Sequence, residues 1–463
     1  MHPISAQNLP SLLISVADDV EKAGGEAYLV GGWVRDALMG LACGDFDVEV
    51  YGLELETFLK ILKKYGKPNL VGKAFGVITM TRDGVVYDFA FPRTESKTGE
   101  GHRGFEVVSD PHLDFATASA RRDFTINAMG LRLPNLELID CHGGRKDLGR
   151  RLLRHVSPAF SEDPLRALRA VQFAARFEFD IHPATQALCA AQPLEELPRE
   201  RLFAEFKKLF LKSRKPSIGL EWMRRLQMLR FFPELQAMVG VPQEAEWHPE
   251  GDVWTHTLLV VDQAAALRTP EYSEGENLAF MLAALCHDVA KAFTTAHENG
   301  RWRSPAHDVK GDRPTRAFLD RITREGDLIE AVVTLVREHL KPALLYNARH
   351  EIKPGAIRRL ALRADIEKLV RLARADHLGR TSEEALAGLF PAGEWLLEES
   401  AKLSVLQEKP RPFLTGKYLL SVGAKPGPQL GKIIQESFEL QLEGELSSLE
   451  EAEAWGRERL RKL

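Results

Sequence analysis

The period of the hydrophobic pattern changes once along this chain, and that change limits the possible folds more than any single residue does. In the first ~140 residues the apolar positions fall in short runs with strand character. These are Tyr28-Leu29-Val30, Asp45 to Tyr51, Gly76 to Met80 and Val85 to Phe91. Residues 11–23 have amphipathic helix spacing, and Tyr28-Leu29-Val30 runs through Gly31-Gly32 into a second helix over Val34 to Met39, a strand, glycine turn, helix unit. The head is therefore expected to be α/β, a mixed sheet flanked by helices. From Ser161 onward strand signals nearly vanish, and helical stretches rich in Leu, Ala and Arg are punctuated by Pro233, Pro242, Pro249, Pro342 and Pro354, which predicts an all-helical remainder. No internal repeat or low-complexity tract interrupts this; Lys409-Pro410-Arg411-Pro412 and Lys425-Pro426-Gly427-Pro428 mark loops in a C-terminal tail. The 463 residues exceed what one core organises, and at roughly 100–200 residues per domain three or four modules are expected.

Charge and cysteine content exclude several classes. The 62 Lys and Arg against 66 Asp and Glu leave a net charge of -4, so a nucleic-acid surface has to be a local patch. Cys43, Cys141, Cys189 and Cys286 are far apart with no CxxC pair, which argues against a disulfide framework and a thiolate zinc site and fits a reducing cytoplasm. Nowhere do about 18 apolar residues run together, and the N-terminal segment is broken by Pro10 and followed by acids, so a soluble, untargeted, cytoplasmic protein with no membrane partner is expected.

The densest chemical signal is Leu29-Val30-Gly31-Gly32-Trp33-Val34-Arg35-Asp36 followed by Gly44-Asp45-Phe46-Asp47. Two carboxylates separated by one residue on a strand share a face. Mg²⁺ takes oxygen ligands and keeps several waters, so such a pair with nucleotide phosphates suits two-metal phosphoryl or nucleotidyl transfer. The glycine pair lets backbone N–H groups approach a triphosphate at a helix N-terminus, and Arg35 adds a charged donor. Farther on, Asp163 and Arg166 in Glu162-Asp163-Pro164-Leu165-Arg166 are three apart at a helix start and can reach one ligand edge. Cytosine and adenine both offer an exocyclic amine beside a ring-nitrogen acceptor, whereas guanine and uracil offer a carbonyl beside an N–H. A carboxylate with a guanidinium thus accepts C and A and rejects G and U.

These segments, with Arg121-Arg122-Asp123-Phe124-Thr125-Ile126-Asn127-Ala128, Asp140 to Leu148, and Ser161 to Arg169, resemble in order and spacing the class II tRNA nucleotidyltransferases and bacterial poly(A) polymerases of the polymerase-β superfamily. The resemblance implies a polymerase-β-like head in which Asp45 and Asp47 bind the catalytic Mg²⁺ ions, and Gly32 and Arg35 hold the triphosphate. Arg122, Asp123 and Asn127 would contact triphosphate and ribose, and Asp163, Arg166 and Arg169 belong to the nucleotide-binding helix. Asp88 is a weaker candidate for a third acid. Gln172 stands where many relatives carry a further arginine, which puts one auxiliary phosphate or ribose contact in doubt. The charged, glycine-rich stretch Arg93 to Gly104 corresponds to a loop linked in that family with the change from adding C to adding A, and its presence favours complete CCA addition.

A second series follows: His256, His287-Asp288, His307, His339 and Asp376. Imidazole with carboxylate suits a borderline transition metal such as Ni²⁺, Mn²⁺ or Co²⁺ better than Mg²⁺, and a helical bundle can converge such groups. The series resembles the HD phosphohydrolases. His256, His287, Asp288 and Asp376 match the core ligand pattern, and His307 and His339 are candidates for a second metal or for substrate contact. In bacterial tRNA nucleotidyltransferases that keep the series, the module is associated with 2′,3′-cyclic phosphodiesterase, 2′-nucleotidase and phosphatase activities.

Basic clusters at Arg150-Arg151-Leu152-Leu153-Arg154, Lys207-Lys208, Lys212 to Lys215 and Arg358 to Arg380 are candidates for phosphate contact. The segment Pro412 to Lys417 and Gly423 to Lys432 resembles the tRNA-contacting tail of many bacterial class II enzymes, in which shape rather than sequence is read. The resulting expectation is a head at 1–150, a helical neck with base recognition at 151–235, an HD-type metal phosphohydrolase domain at 236–380 and a tRNA-binding helical tail at 381–463, with CTP, ATP and tRNA as partners. An oligomeric state cannot be read. Two other readings share these motifs: a poly(A) polymerase or an enzyme adding only CC or only A, and a metal phosphohydrolase whose head is an RNA-binding module.

Overall fold

A computed structural model describes residues 4–5, 9–42, 44–71, 77–97 and 105–462. It divides into two compact units, residues 1–209 with 218–231, and residues 210–217 with 232–463. The expected Gly76 and the 98–104 part of the charged loop lie outside the described residues, as does Cys43.

The first unit is built on a seven-stranded mixed sheet. Its strands are β1 (Glu26–Val30), β2 (Phe46–Tyr51), β3 (Asn69–Val71), β4 (Val77–Arg82), β5 (Val85–Ala90), β8 (Gly130–Leu133) and β9 (Glu137–Ile139), in the order β3-β4-β5-β2-β1-β8-β9; β6 (Arg93–Lys97) and β7 (Phe105–Ser109) form a separate hairpin. β1 is antiparallel to β2 and β8, whereas β2 and β5 run parallel. Helices Ser11–Lys22, Gly32–Leu38 and Leu55–Leu62 supply apolar faces to the sheet. Five of the six residues of β2 are buried, Glu49 among them, and only Asp47 is exposed, as expected of a strand in the middle of a sheet.

The turn between β1 and its helix needs glycine: Gly31 has φ +73°, in the left-handed region that costs other residues free energy. Aromatic packing then fixes the layers. Phe58 meets Phe89 and Phe91 at 5.5 and 5.9 Å, and Phe124 meets Phe160 and Phe173 at 5.6 and 5.8 Å, joining the segment Arg121 to Ala128 to the Leu165–Phe177 helix.

The second unit is nearly all helical, as the loss of strand periodicity predicts. Its centre is formed by helices Val253–Ala266, Glu274–Cys286, Gly326–Glu338 and Ile366–Leu378. A Ser273/Glu276 capping box starts the second of these, and the Asp252 carboxylate accepts from Thr255 N–H to start the first, satisfying donors that have no partner inside the helix. Two short strand pairs depart from the sequence reading: Leu152–Leu153 runs parallel to Asp180–Ile181, and Ala296–Glu298 pairs antiparallel with Arg301–Arg303. Runs of two or three residues are too short for a period-two signal. In the tail, Leu414, Leu419, Ile433, Leu446 and Ala452 make a small core of their own.

Gly144 gives this packing a direct test. It opens the Gly144–Gly149 helix, its N–H donates to Asp140 Oδ1 at 2.7 Å, and an added Cβ would overlap the Thr125 carbonyl oxygen and lie 2.9 Å from Met129 Cγ. Gly144→Ala is expected to lower stability by about 1–3 kcal/mol through overpacking, read as a lower denaturant midpoint in the transition of the first unit.

Candidate functional sites in the head and the HD bundle

The head site begins with strand register. β2 and β5 pair so that Asp47 and Asp88 are Cα partners, and in a parallel pair such residues face the same side. Thr79 donates to Asp88 Oδ1 at 2.7 Å, and Asp45 stands exposed just before β2. Partial desolvation raises the Asp47 carboxyl above the usual range; Arg122 opposes this, and Asp88, Asp45 and Glu49 add to it. A cluster of acids that raise one another in this way is relieved by a cation, so the residues present fit the oxygen-rich, hard-cation chemistry of Mg²⁺. Gly31 lies across from it: a Cβ built there would be 3.2 Å from Arg122 Nη1 and 3.7 Å from Asp47 Oδ2.

Glu49, two residues past Asp47 on the same face, was not singled out from sequence. It is 3% exposed, and it accepts from Arg122 Nη2 at 2.7 Å, Arg121 Nη2 at 3.3 Å and the Tyr51 hydroxyl at 2.8 Å. Burial pushes its carboxyl up, but the two arginines outweigh this and hold it low. Glu49 thus aims Arg122 at the acid cluster. The signal was the continued acidic alternation from Asp45 through Asp47 to Glu49.

Behind Arg122 lies a buried polar chain. Asp123 accepts from Asn127 Nδ2 at 2.9 Å and the Phe124 N–H at 2.8 Å on one oxygen, and from Arg169 at 2.6 and 2.7 Å on the other. Asn127 in turn accepts from Arg35 Nη1 at 2.5 Å. Burial raises the Asp123 carboxyl, and the Arg169 charge with these hydrogen bonds more than reverses it, leaving the pKa below the usual range. Gly32 sits half-buried at the head of its helix, 3.5 Å from Arg35 Nη2 by its would-be Cβ. Arg35 itself is 3% exposed, paired with Asp36 at 2.6 Å and stacked over Phe173 and Phe177 at 5.2 and 4.7 Å. Arg35, expected from sequence to hold the triphosphate, is thus itself held by Asp36, Asn127 and two phenyl rings.

On the Leu165–Phe177 helix and the turn before it, Glu162, Asp163, Arg166 and Arg169 are all half-buried. Asp163 accepts from Leu165 N–H at 3.1 Å and from Arg201 Nη2 at 2.8 Å. Arg166 donates to the Ala159 and Arg121 carbonyls at 2.9 and 2.7 Å. Asp163 and Arg166 are thus each fixed by other groups, and Arg201 is a partner that sequence spacing could not reveal. Gln172 is buried, with its Nε2 lacking a hydrogen-bond partner.

The second site is in the HD bundle. His256, His287, Asp288, His307, His339 and Asp376 are all buried. His256 Nε2 lies 3.0 Å from Asp376 Oδ1; Asp288 oxygens lie 3.3, 3.2 and 4.0 Å from Nε2 of His287, His307 and His339. Two triads of converging ligand atoms result, His256 with His287 and Asp376, and Asp288 with His307 and His339.

The tautomers follow from the backbone. Nδ1 of His287, His307 and His339 is 2.9, 2.8 and 2.6 Å from the carbonyl oxygen three residues earlier, Ala284, Ser304 and Val336. A carbonyl only accepts, so Nδ1 carries a proton and Nε2 is the nitrogen that can offer a lone pair when the ring is neutral. All three Nε2 atoms and Asp288 Oδ1 are buried without a hydrogen-bond partner, a cost that a bound cation removes. The residues therefore fit a divalent ion of the imidazole-binding kind. Sequence reading missed Glu250 and His248. Glu250 Oε1 is 2.7 Å from His256 Nδ1 and 2.8 Å from His248 Nδ1, placing a carboxylate behind a candidate ligand histidine. Lys291 Nζ lies 2.7 Å from Asp288 Oδ2.

The basic stretch from Arg358 to Arg380 is a correction to the phosphate-patch expectation. Arg359 pairs with Glu439 and Glu443 at 3.0 and 2.6 Å, Arg363 with Glu338 at 2.7 Å, and Arg371 donates to the Leu267 carbonyl at 2.8 Å. These side chains join helices to one another, because their acidic partners are distant in sequence. By contrast Arg150, Arg151, Lys212, Arg214 and Lys215 are exposed.

Arg169→Met would leave the buried Asp123 carboxylate without its main counter-charge, at an expected cost of about 2–4 kcal/mol at pH 7. Because Asp123 titrates below the usual carboxylate range when paired, the native pair stabilises at neutral pH and is lost as pH falls through that low value. The variant's deficit should therefore shrink in acid, as measured by urea unfolding at two pH values.

Comparison with known proteins agrees with this geometry. Residues 27–154 match the poly A polymerase head domain, 178–238 the probable RNA and SrmB-binding site of polymerase A, and 253–381 the HD domain. Among solved structures, an apo CCA-adding enzyme (TM-score 0.66, 22% identical, covering 99% of this chain and 97% of that one) and the Thermotoga maritima CCA-adding enzyme complexed with tRNA (TM-score 0.60, 22% identical, 99% and 96%) share the fold. A relative in Xylella fastidiosa strain M12, a multifunctional CCA protein, is 38% identical over 384 residues, 80% of this chain and 88% of its own. The multifunctional CCA protein of Xanthomonas campestris pv. campestris is 37% identical over 423 residues, covering 88% of this chain and 95% of that one, and on this likeness the chain belongs to the multifunctional CCA protein family.

Proposed function

We propose that this chain is an enzyme that builds or repairs the 3′-terminal CCA of tRNA from CTP and ATP, and that its HD bundle is a metal-dependent phosphohydrolase acting on phosphorylated 3′ ends. The observation that carries the first part is the in-register pair Asp47 and Asp88, with Asp45 beside them and Gly31 and Arg122 across from them. In the reaction the tRNA 3′-hydroxyl oxygen attacks the α-phosphorus, the bond to the β-phosphate oxygen breaks, pyrophosphate leaves and the hydroxyl proton is lost. Asp45 and Asp47 would hold Mg²⁺, which would supply charge neutralisation at the triphosphate and acidify the attacking hydroxyl. Gly31 and Gly32 give the triphosphate a close approach to backbone, and Arg122, aimed by Glu49, adds a fixed positive charge where negative charge leaves. Asp123, Asn127 and Arg35 keep the floor of the site rigid, and preorganised positioning of this kind supplies much of the rate.

Base choice belongs to Asp163 and Arg166. Arg201 and the Leu165 N–H orient the Asp163 carboxylate, and a carboxylate accepts the exocyclic amine that C and A share and G and U lack. Exposed Arg150, Arg151 and the lysines at 212 and 215 are suited to tRNA phosphates. In the HD bundle, His256, His287, Asp288 and Asp376 hold the ion, with His307 and His339 able to hold a second. A transition metal held there would lower the pKa of water toward neutrality and so favour hydrolysis of a phosphate ester. Lys291 beside Asp288 contributes positive charge for the phosphate, and Glu250 orients His256.

Two substitutions separate the activities. Asp47→Asn should reduce labelled CMP and AMP incorporation into tRNA by about 10²–10³-fold or more, with hydrolysis of 2′,3′-cyclic AMP in Mn²⁺ or Ni²⁺ retained. Asp288→Ala should do the reverse. Incorporation by Asp47→Asn at the parent rate would refute the head assignment, and unchanged hydrolysis by Asp288→Ala would refute the HD assignment.

A further inference from the structure

The HD cavity is equipped for more than a phosphate. It has a volume of about 420 Å³, within the roughly 300–1,000 Å³ of small-ligand sites. Beside the ligand histidines it is lined by Trp247 and Trp302, which are 57% and 40% exposed. Tryptophan is usually well covered in a folded protein, so two open indoles on one cavity that also holds a metal-ligand cluster point to a ligand with an aromatic face.

One residue ties together the backbones that carry the two indoles, through their main-chain N–H groups. The Glu244 carbonyl accepts from the Trp247 N–H at 3.0 Å, and its carboxylate Oε2 accepts from the Trp302 N–H at 3.0 Å. Arg301 pairs with Glu246 at 3.3 Å across the same junction, and the His297 ring packs against Trp302 at 4.8 Å. The Ala296–Glu298/Arg301–Arg303 hairpin is thereby tied to the turn before His248. The main chain at both tryptophans is held in place and both side chains stay open, which lowers the part of the ordering cost that the backbone would add on binding. The opposite chemistry is present in the same cavity: Lys291, and Arg380, whose buried Nε has no hydrogen-bond partner.

We propose that Trp247 and Trp302 form a nucleobase subsite of the HD cavity, so that this domain selects phosphorylated nucleosides, including a terminal nucleotide of RNA, over phosphomonoesters without a base. The base lies against indole, and the phosphate is directed to Lys291, Arg380 and the ligand cluster. Stacking uses the π-face that every base has, so the subsite discriminates little among the four bases, unlike the head. This inference rests on the phosphohydrolase reading of the HD bundle.

The test compares the parent with Trp247→Ala, Trp302→Ala and the corresponding Phe variants, all checked for parent-like circular dichroism. Hydrolysis of 2′-AMP, 2′-CMP and glycerol 2-phosphate is measured in Mn²⁺, and binding of 2′-AMP is followed by calorimetry. The expected result is a fall of about tenfold in each Ala variant in the preference for nucleotide over glycerol phosphate, carried by KM, with a matching loss of 2′-AMP affinity, and recovery of most of both in the Phe variants. Parent-like preference and affinity in both Ala variants would overturn the proposal, as would a parent that binds no 2′-AMP. A parent that hydrolyses none of the three substrates would refute the phosphohydrolase reading, while the calorimetric comparison would still decide the subsite.

Discussion

Like charges on neighbouring strands repel, and a protein that places them in register needs something to hold them there. Asp47 and Asp88 are such a pair, on strands whose other side chains are mostly buried, and the head is organised around them. Partial desolvation and the neighbouring acids both disfavour the Asp47 charge, so countercharge close by is favourable. Arg122 supplies part of it, and Glu49 keeps Arg122 in place by drawing on its other amino group. The acids that remain offer oxygen ligands of the kind a hard cation takes. Each following layer stiffens the one above it: Asp123 follows Arg122 in the chain and is buried, Asn127 and Arg169 lock Asp123, and Arg35 locks Asn127.

The HD bundle solves a related problem with neutral donors. Helix ends leave carbonyls without intrahelical partners, and His287 and His339 sit at two such ends. Their Nδ1 protons go to those carbonyls, which orients each Nε2 toward Asp288. The same geometry that ends a helix therefore selects the tautomer a metal requires. Both sites share a principle: the groups that would touch a ligand are prepared by hydrogen bonds that also hold the fold.

Much of this was legible in the sequence because it is local. The glycine turn, the alternation at Asp45 and Asp47, and the change from period two to helical spacing each depend on a few adjacent residues. The ordered H…HD…H…H…D series named the six side chains that the bundle brings together. What was not legible depends on distant partners. That Arg35 packs against Phe173 and Phe177, about 140 positions later, cannot be read from its own motif. Arg201 and Glu250 acquire meaning only from Asp163 and His256. The arginines between 358 and 380 look like a phosphate-binding face, yet several are occupied by glutamates elsewhere in the chain. Local pattern identifies chemistry, and long-range packing decides which charges remain available for it.

The central claim, that one head site uses Asp45 and Asp47 for nucleotidyl transfer while a protein side-chain pair selects C and A, is most directly tested by product length. The protein is incubated in Mg²⁺ with tRNA ending at the discriminator base, at C or at CC, and with each labelled nucleoside triphosphate in turn and CTP with ATP together. The account predicts growth to CCA and no further from all three substrates, with neither GMP nor UMP incorporated. Runs of A without C, arrest after CC, or incorporation of G or U at comparable rates would contradict it.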